Sequence, residues 1–283
     1  MEIAVIILAG GKSARFSKDK LTYLYKNNPM IIYPIREAQK LTKDVYIITN
    51  ENEYNNLKKL AKKLNVRFIF DDTSLNCKGP ARGISTAVKS IDSDYYLIIP
   101  GDIPWINNKA LENLVKYSTK FQTLVSPIIH RGIVSPLFTV IPKKNVSRIL
   151  TICNKYSILA SRPSNFIRGT ESLLIGLRYI TNDSRTFQDV DKKSDLNPHK
   201  NTLSRKIVHL KTYNYFIKAI DNFKKGLIKE AFNDFINESK VYRHNRLYSL
   251  ELSSLIDACI IQRDKPIQKR INWLRVKIGR DSK

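Results

Sequence analysis

The first ten residues constrain the fold of this chain most strongly. Residues 3–8 form an unbroken apolar run rich in β-branched side chains, which predicts a strand covered on both faces, as in a parallel sheet. Gly10 and Gly11 follow at once and, because they lack Cβ atoms, allow a sharp turn that a ligand can approach closely. Exposed N–H groups in such a turn bind anions, although glycine can also stand in a turn for its geometry alone.

Two common nucleotide-binding motifs are not satisfied here. A Walker A loop ending at Gly11 and Lys12 would need its first glycine at Ile6, which is a residue of the predicted strand. The dinucleotide fingerprint fails as well, because no third glycine follows the pair. Instead, Arg15 and Lys20 supply positive charge that suits a polyphosphate.

Strand and helix patterns alternate through the first hundred residues. Further strands are predicted over 44–49, 66–70 and 95–99, with helices between them. This pattern predicts an α/β fold with a Rossmann-like, mostly parallel sheet and helices on both faces. Ligands bind at the carboxyl ends of such strands, so Gly10 and Asp102 should lie at the same edge of the sheet.

The rest of the chain divides into two parts. Strands are predicted over 123–129 and 133–141, and Pro136 marks the second as an edge strand or a bulge. From residue 203 helical stripes dominate, which predicts a small all-helical C-terminal appendage. We therefore expect a nucleotide-binding domain over 1–200 and a helical extension of unknown role over 203–283.

Charge and cysteine content limit the classes of function. The sequence has 49 Lys and Arg against 25 Asp and Glu, a net charge of +24. This favours polyanionic ligands such as nucleotides, phosphorylated substrates or nucleic acid, although it also fits a general richness in lysine. Cys77, Cys153 and Cys259 are far apart in sequence, which argues against a disulfide framework or a cysteine zinc site and suits a reducing cytosol.

The sequence also contains no apolar run near the roughly 18 residues that span a membrane. The segment before Gly10 is too short for a signal peptide and lacks a basic start. We therefore expect a cytoplasmic protein that makes no use of a membrane.

Carboxylates at predicted strand and loop ends suggest a metal site. Asp102 follows the strand over 95–99, and Asp189 and Asp191 form a pair further along the chain. Mg²⁺ binds one or two carboxylates together with phosphate oxygens and water, so Asp102 with one of the pair suffices. The alternative is that Asp189 or Asp191 caps the following helix.

Five motifs in order resemble the molybdenum cofactor guanylyltransferase (MobA-type) family of the nucleotidyltransferase superfamily. The resemblance covers roughly residues 1–200, and the five motifs together are far more specific than the first alone. The motifs are Leu8-Ala9-Gly10-Gly11-x-Ser13-x-Arg15 with Asp19-Lys20, Gly79-Pro80-x-x-Gly83, Pro100-x-Asp102-x-Pro104, Ser135-Pro136-Leu137, and Phe187-x-Asp189-Val190-Asp191 followed by Asp195-Leu196.

The resemblance implies Mg²⁺-dependent transfer of GMP from GTP to a molybdopterin-type phosphorylated acceptor, with release of pyrophosphate. It implies Arg15, Lys20 and Asp102 as catalytic residues and Asp72 near the nucleoside, with Mg²⁺ held by Asp102 and the Asp189–Asp191 pair. It also implies molybdoenzymes or cofactor-insertion proteins as partners. Nucleic acid would be a partner only if the positively charged extension over 203–283 binds it. The remaining implied nucleotide contacts are Leu8, Ala9, Gly10, Gly11 and Gly79, in addition to Lys20.

Departures from the family pattern leave other substrates open. Ser17 stands where the family has glycine, Phe16 where it has methionine, and Gly101 where it has cysteine. The alternatives are cytidylyl transfer to molybdopterin, guanylyl transfer to a cobamide precursor, and a non-catalytic protein that binds nucleotide or nucleic acid. The helical extension is not part of the family core.

Overall fold

An eight-stranded mixed sheet lies at the centre of this computed structural model, which describes residues 1–10, 16, 20–61, 64–197, 202–211 and 213–279. The strand order is β10-β9-β7-β8-β6-β1-β4-β5, and β2 and β3 form a separate hairpin. The strands described are β1 (Ile3–Leu8), β2 (Leu24–Tyr25), β3 (Asn28–Pro29), β4 (Val45–Thr49), β5 (Arg67–Phe70), β6 (Tyr95–Pro100), β7 (Leu124–Ile128), β8 (Thr139–Pro142), β9 (Ser172–Gly176) and β10 (Ile207–Leu210).

Helices cover both faces of the sheet, as the alternating pattern predicts. Successive residues of β1 point to opposite layers. Ile6 joins the cluster that contains α3, α5 and the C-terminal helices, and Ile7 joins the cluster that contains α1 and α4. The α-helices described are α1 (Ile32–Leu41), α2 (Glu51–Ala61), α3 (Pro80–Ser90), α4 (Asn108–Phe121), α5 (Val146–Lys155), α6 (Ser164–Arg168), α7 (Tyr213–Lys224), α8 (Ile228–His244), α9 (Tyr248–Ile261) and α10 (Lys265–Lys277).

The strand directions place a row of carboxyl ends at one edge of the sheet. β1, β4, β5 and β6 are parallel to one another. β8 is antiparallel to both β6 and β7, so β7 and its parallel neighbour β9 run in the same direction as β6. The loops after β1, β6, β7 and β9 therefore all lie at the same edge.

The middle of the chain differs from its sequence-based prediction. The strand expected over 133–141 is shortened to β8, and Pro136 lies before it, in a turn. β8 lies inside the sheet between β6 and β7, so the prediction of an edge strand is wrong. Proline cannot donate to a ladder, and regular pairing with β6 accordingly starts after it, at Thr139.

The C-terminal region is joined to the sheet in two ways. Its first described element is not a helix but β10, which pairs with β9 in antiparallel fashion and extends the sheet. Phe216 of α7, Phe235 of α8 and Leu250 of α9 are then buried in the same apolar cluster as the sheet residue Ile6. Within the helical extension predicted from residue 203, α7 and α8 are separated at Gly226, whose φ is +76°.

A buried charged network also fixes the C-terminal helices to the rest of the chain. Arg168 of α6 donates to Glu238 of α8 (2.9 and 2.6 Å) and to Asp257 of α9 (2.6 Å). All three side chains are at most 2% exposed. Burial alone would lower the pKa of Arg168, but Glu238 and Asp257 outweigh it and raise that pKa, so the guanidinium stays charged.

The cysteines correct one sequence-based expectation. Cys77 and Cys153 form a disulfide, with their Cα atoms 4.9 Å apart, so the expectation of unpaired cysteines is wrong for this pair. Distance along the chain is a poor guide here, because Cys77 precedes α3, Cys153 lies on α5, and these two helices pack together. Cys259 is free. Among the described helices, none has both the length and the apolar character that crossing a bilayer requires.

Candidate active site

A cavity of about 220 Å³ opens at the carboxyl ends of β1 and β6. This is the edge at which parallel sheets bind ligands, and it is the place predicted for Gly10 and Asp102. Both residues line it, together with residues from α2, α3 and the loops around them. The described lining residues are Leu8, Gly10, Lys20, Leu21, Glu53, Pro80, Pro100, Asp102, Leu137, Asp189 and Asp191.

Backbone hydrogen bonds hold the ends of the two central strands together. The Gly101 N–H donates to the Leu8 carbonyl (3.0 Å), which continues the pairing of β1 with β6 beyond Pro100. The Ala9 N–H donates to Ile48 (2.8 Å), and the Ala9 carbonyl accepts from the buried Thr49 hydroxyl (2.9 Å). Ala9 is thus tied into the sheet, and its neighbours Leu8 and Gly10 line the cavity.

Lys20 joins two carboxylates that line the cavity. Its ammonium forms an ion pair with Asp102, which follows β6, and a second with Asp191 at 3.3 Å. Burial alone would lower the pKa of Lys20, but the two aspartates outweigh it and raise that pKa. A cation is therefore stabilised at the point where these carboxylates converge.

The buried Val190 positions its two neighbours, Asp189 and Asp191. Val190 is fully buried beside Phe16 and Met30, and its N–H donates to the Asp102 carbonyl (3.1 Å). This anchor places Asp189 and Asp191 on either side of it at the cavity. Capping of the next turn falls to Asp195, whose carboxylate accepts from the Asp191 and Lys192 N–H groups at 2.9 and 2.8 Å.

Asp189 is the carboxyl group most strongly affected by this arrangement. Burial, together with the nearby Asp102 and Asp191 carboxylates, raises the pKa of Asp189 to about 6. A cation bound beside Asp189 would stabilise its ionised form, because the positive charge offsets both the desolvation of this carboxylate and its repulsion by Asp102 and Asp191.

The charge of the described lining suits a divalent cation. Glu53, Asp102, Asp189 and Asp191 contribute four carboxylates, whereas Lys20 contributes the one described cation among the lining residues. Within the described chain, no three acidic, histidine or cysteine side chains are arranged to hold a metal ion by themselves. A protein that binds Mg²⁺ together with a nucleotide supplies only one or two carboxylate ligands, because phosphate oxygens and water complete the coordination shell. Asp102 with Asp189 or Asp191 therefore fits Mg²⁺.

Of two further predicted nucleotide-binding residues, Gly79 is next to the cavity lining in sequence, whereas Asp72 lies outside the lining. Gly79 precedes α3 with φ +57°, and its neighbour Pro80 lines the cavity. The Asp72 carboxylate accepts from the Lys89 ammonium (2.6 Å) and from Ser74. These hydrogen bonds, of which the one from Lys89 has the largest effect, lower the pKa of Asp72 to about 2. The Asp72 side chain is not among the described lining residues.

Some predicted residues fall outside the described chain, and some lining residues were not predicted. Gly11 and Arg15 are outside the described residues, as is Ser17. Glu53 and Leu21 line the cavity without having been singled out from the sequence. Glu53 could have been predicted from the sequence, because it lies in the first turn of the helix that follows β4, at the same edge of the sheet.

Comparison with known families decides the class of this protein. The family model described as "MobA-like NTP transferase domain" matches residues 5–162, which is more than half of the chain. The chain belongs to this family. The MobA-like match contains most of β1 together with Gly10, Gly79 and Asp102, so the cavity lies largely within it. The chain is thus a nucleotidyltransferase by family, with Asp189, Asp191 and the C-terminal helices beyond the matched region.

Individual relatives are about a quarter identical to this MobA-like chain over the residues that align. A probable molybdenum cofactor guanylyltransferase of Clostridium perfringens is 26% identical over 201 residues, which are 67% of this chain and 96% of that protein. Another protein of the same description from a Geobacillus species is 25% identical over 150 residues, 52% of this chain and 74% of its own length.

Solved structures confirm the fold. Molybdopterin-guanine dinucleotide biosynthesis protein A from Archaeoglobus fulgidus superposes with a TM-score of 0.56 at 15% identity, covering 69% of this chain and 95% of its own. The 4-diphosphocytidyl-2C-methyl-D-erythritol synthase of Anaerococcus prevotii gives 0.52 at 12% identity, with coverages of 69% and 95%. The predicted Rossmann-like sheet with helices on both faces is confirmed by these neighbours and by the strand order.

Proposed function

We propose that this protein transfers GMP from GTP to the phosphate of a molybdopterin-type acceptor, releases pyrophosphate and requires Mg²⁺. The observation that carries the proposal is the cavity where Lys20 joins Asp102 and Asp191 beside the Gly10 turn. The relatives named as molybdenum cofactor guanylyltransferases support the choice of nucleotide and acceptor. A molybdoenzyme or cofactor-insertion protein would then receive the product.

In the proposed reaction an oxygen of the acceptor phosphate attacks the α-phosphorus of GTP. The bond from that phosphorus to the bridging oxygen breaks, and pyrophosphate leaves. The attacking phosphate is already ionised at neutral pH, so no general base is required. This agrees with a described cavity lining that has carboxylates and a lysine but neither histidine nor cysteine. Catalysis then depends on positioning and on neutralising charge.

Each residue has a separate part in this proposal. Asp102, with Asp189 or Asp191, would hold Mg²⁺, which neutralises charge on the nucleotide phosphates. Lys20 would donate to phosphate oxygens of the nucleotide. Arg15, by its family resemblance, would add a second positive charge, and the Gly10 turn would let the nucleotide approach the backbone.

We place the reaction in the cytoplasm, where GTP is made. The finding that points the other way is the pairing of Cys77 with Cys153, since disulfides are rare in reducing compartments. Titration of free thiols in protein taken directly from its native cells decides this point. One reactive thiol per chain under denaturing conditions would mean that the pair is oxidised there.

The direct test is a screen of nucleotide and acceptor. The purified protein is given molybdopterin or a cobamide precursor, each with GTP, CTP or ATP, and pyrophosphate release is measured with and without Mg²⁺. We expect turnover with GTP and Mg²⁺. Turnover with CTP alone would make the protein a cytidylyltransferase, turnover with a cobamide precursor alone would change the acceptor, and no turnover with any pair would refute the enzymatic proposal.

Asp102→Asn tests the metal assignment. We expect this variant to lose transfer while it keeps much of its nucleotide binding, because the amide is a weaker magnesium ligand of the same size. Asp92→Asn is the matched control, since Asp92 is 84% exposed and pairs with Lys143 away from the cavity lining. Full activity in Asp102→Asn would contradict the assignment.

A further inference from the structure

Residues 78–80 form an exposed turn that leads into α3 at the cavity, and we call it the Gly79 turn. Its last residue, Pro80, lines the cavity. A Cβ added to Gly79 would meet no atom within 4 Å, so no other part of the described chain packs on the middle of the turn. The position of the turn therefore depends on what holds its two ends.

The end of the turn toward α3 is held by the helix itself. The Gly79 carbonyl accepts from the N–H groups of Arg82 (2.9 Å) and Gly83 (3.3 Å). Gly83 in turn lies against the end of β1, because a Cβ placed there would be 3.2 Å from the Leu8 side chain. This end of the Gly79 turn is thus fixed relative to Leu8, which also lines the cavity.

The other end of the turn is anchored by Cys77. This residue is fully buried, whereas its neighbours Asn76 and Lys78 are exposed. Its sulfur is bonded to that of Cys153, which is equally buried on α5. The Cys77 carbonyl also accepts from Nε of Arg82 (2.9 Å), the same residue that donates to Gly79. The disulfide therefore fixes the segment that precedes the Gly79 turn to α5.

The noncovalent contacts of this segment with α5 are weaker. The Asn76 N–H donates to the side-chain oxygen of Asn154 (3.2 Å), and the Asn76 amide donates to the Asn154 carbonyl (3.0 Å). Both hydrogen bonds are exposed, so water competes with them and each contributes little. Leu75 is buried in the apolar core, but it holds the segment nearer to β5 than to the turn. Without the disulfide, the Gly79 turn would be free to adopt further conformations.

We infer that Cys77 and Cys153 are positioning residues for the nucleotide: their disulfide holds the Gly79 turn in the conformation that binds GTP, and reduction of the disulfide weakens that binding. The inference rests on the proposed function, since it takes GTP as the ligand and the turn as one of its contacts. Neither cysteine belongs to the five motifs that carry the family resemblance. The crosslink is thus an addition of this chain to the nucleotide half of the site.

The reaction that breaks the crosslink is thiol–disulfide exchange with a dithiol. One thiolate of the dithiol attacks a cysteine sulfur to form a mixed disulfide, and the second displaces it. The protein disulfide gains two electrons and two protons, and the dithiol becomes a cyclic disulfide. Because both protein sulfurs are buried, the exchange requires the segment before the turn to open. GTP bound to the closed turn should therefore slow the reduction.

GTP binding by the oxidised and the reduced protein tests the inference. The purified protein, with and without prior treatment with dithiothreitol, is titrated calorimetrically with GTP and Mg²⁺, and circular dichroism establishes that both forms are folded. We expect the Kd to rise roughly tenfold on reduction, because binding must then order about one more backbone residue. The kcat at saturating GTP should change little, since Asp102 and Lys20 are untouched. A merely structural disulfide would lower the Tm and leave the Kd unchanged.

Three variants make this comparison specific. Cys77→Ala combined with Cys153→Val removes the crosslink and keeps apolar side chains at both buried positions, so that the test does not depend on reduction. It should show the same tenfold loss without dithiothreitol and no further loss with it. Cys259→Ser is the matched control, because Cys259 is free and the disulfide remains. Gly132→Ala, which strains a contact with Arg246 outside the described cavity lining, should leave the Kd for GTP unchanged.

The possible results separate this inference from the proposed function. An equal Kd for GTP in the wild type and the crosslink-free double variant would overturn the inference and leave the proposed function intact. A loss in Gly132→Ala as large as in the double variant would also overturn it, because lowered stability would then explain the effect. If the wild type binds CTP or ATP instead of GTP, the proposed nucleotide is wrong and the same comparison is made with the nucleotide that binds. If it binds none of the three, the proposed function and the inference both fail.

Discussion

Replacing Arg168 by methionine should destabilise the protein strongly, because Arg168 neutralises two buried carboxylates at once. The substitution removes two hydrogen bonds to Glu238 and one to Asp257, all between 2.6 and 2.9 Å. Asp257 retains its ion pair with Arg162 at 2.7 Å, whereas Glu238 retains hydroxyl donors but no cation from the described part of the chain. The variant therefore leaves one fully buried carboxylate without a compensating charge.

The expected magnitude follows from that count. Breaking a buried ion pair by removing one partner costs about 3–5 kcal/mol, and the surviving pair at Asp257 favours the lower end of this range. A loss of about 3 kcal/mol should lower the Tm by roughly 6–12 °C. Urea denaturation followed by circular dichroism measures the free energy of unfolding directly.

Two further variants make the measurement specific. Arg185→Met removes an exposed arginine from its pair with Asp183 and should change the stability little, since exposed ion pairs contribute little. Arg168→Met combined with Glu238→Gln removes the isolated charge and should recover part of the loss. A free energy of unfolding for Arg168→Met within about 1 kcal/mol of wild type would refute the reasoning.

Three other predictions follow from single contacts. Gly10→Ala should keep the wild-type Tm, because among the described residues beyond its chain neighbours the added Cβ meets no atom nearer than 4.0 Å. It should weaken GTP binding about tenfold in a fluorescence titration, because the nucleotide is proposed to approach that backbone; equal affinity would contradict the assigned role. Gly132→Ala should lower the Tm by several degrees, because its Cβ would lie 2.2 Å from the Arg246 carbonyl oxygen. An unchanged Tm would show that the backbones at Gly132 and Arg246 can move apart without loss of stability. Reduction of the Cys77–Cys153 disulfide, which closes 76 residues, should cost up to about 4 kcal/mol in urea denaturation, and Cys153→Ser should make the protein insensitive to reductant.

The predicted placement of Gly10 and Asp102 at one edge of the sheet is confirmed, because it depended on strand direction alone. The apolar run of β1 and the strand over 95–99 have the composition of buried parallel strands, and parallel strands bring their carboxyl ends to one edge. Gly10 and Asp102 therefore meet in one cavity, as expected. Asp189 could be named from its motif alone, but its approach to Asp102 depends on Val190, whose burial and backbone hydrogen bond are tertiary facts.

Other features could not be predicted because they join segments distant in sequence. Cys77 and Cys153 are brought together by the packing of α3 on α5. β10 is only four residues long, and it is a strand because β9 offers it a partner. A short segment of this kind has no strong periodicity of its own, whereas its hydrogen bonds with a neighbour decide its conformation.

The sequence by itself determined the parallel strands β1, β4, β5 and β6 and the positions of Gly10 and Asp102 at their carboxyl edge, because these follow from local composition and from the direction of parallel strands. Tertiary structure alone decided what the C-terminal helices do. Their apolar stripes predicted helices but not what they pack against, since an amphipathic face does not specify its partner. Arg168 and Gly132 fix that choice through contacts with Glu238 and Arg246, more than 60 residues away in the chain.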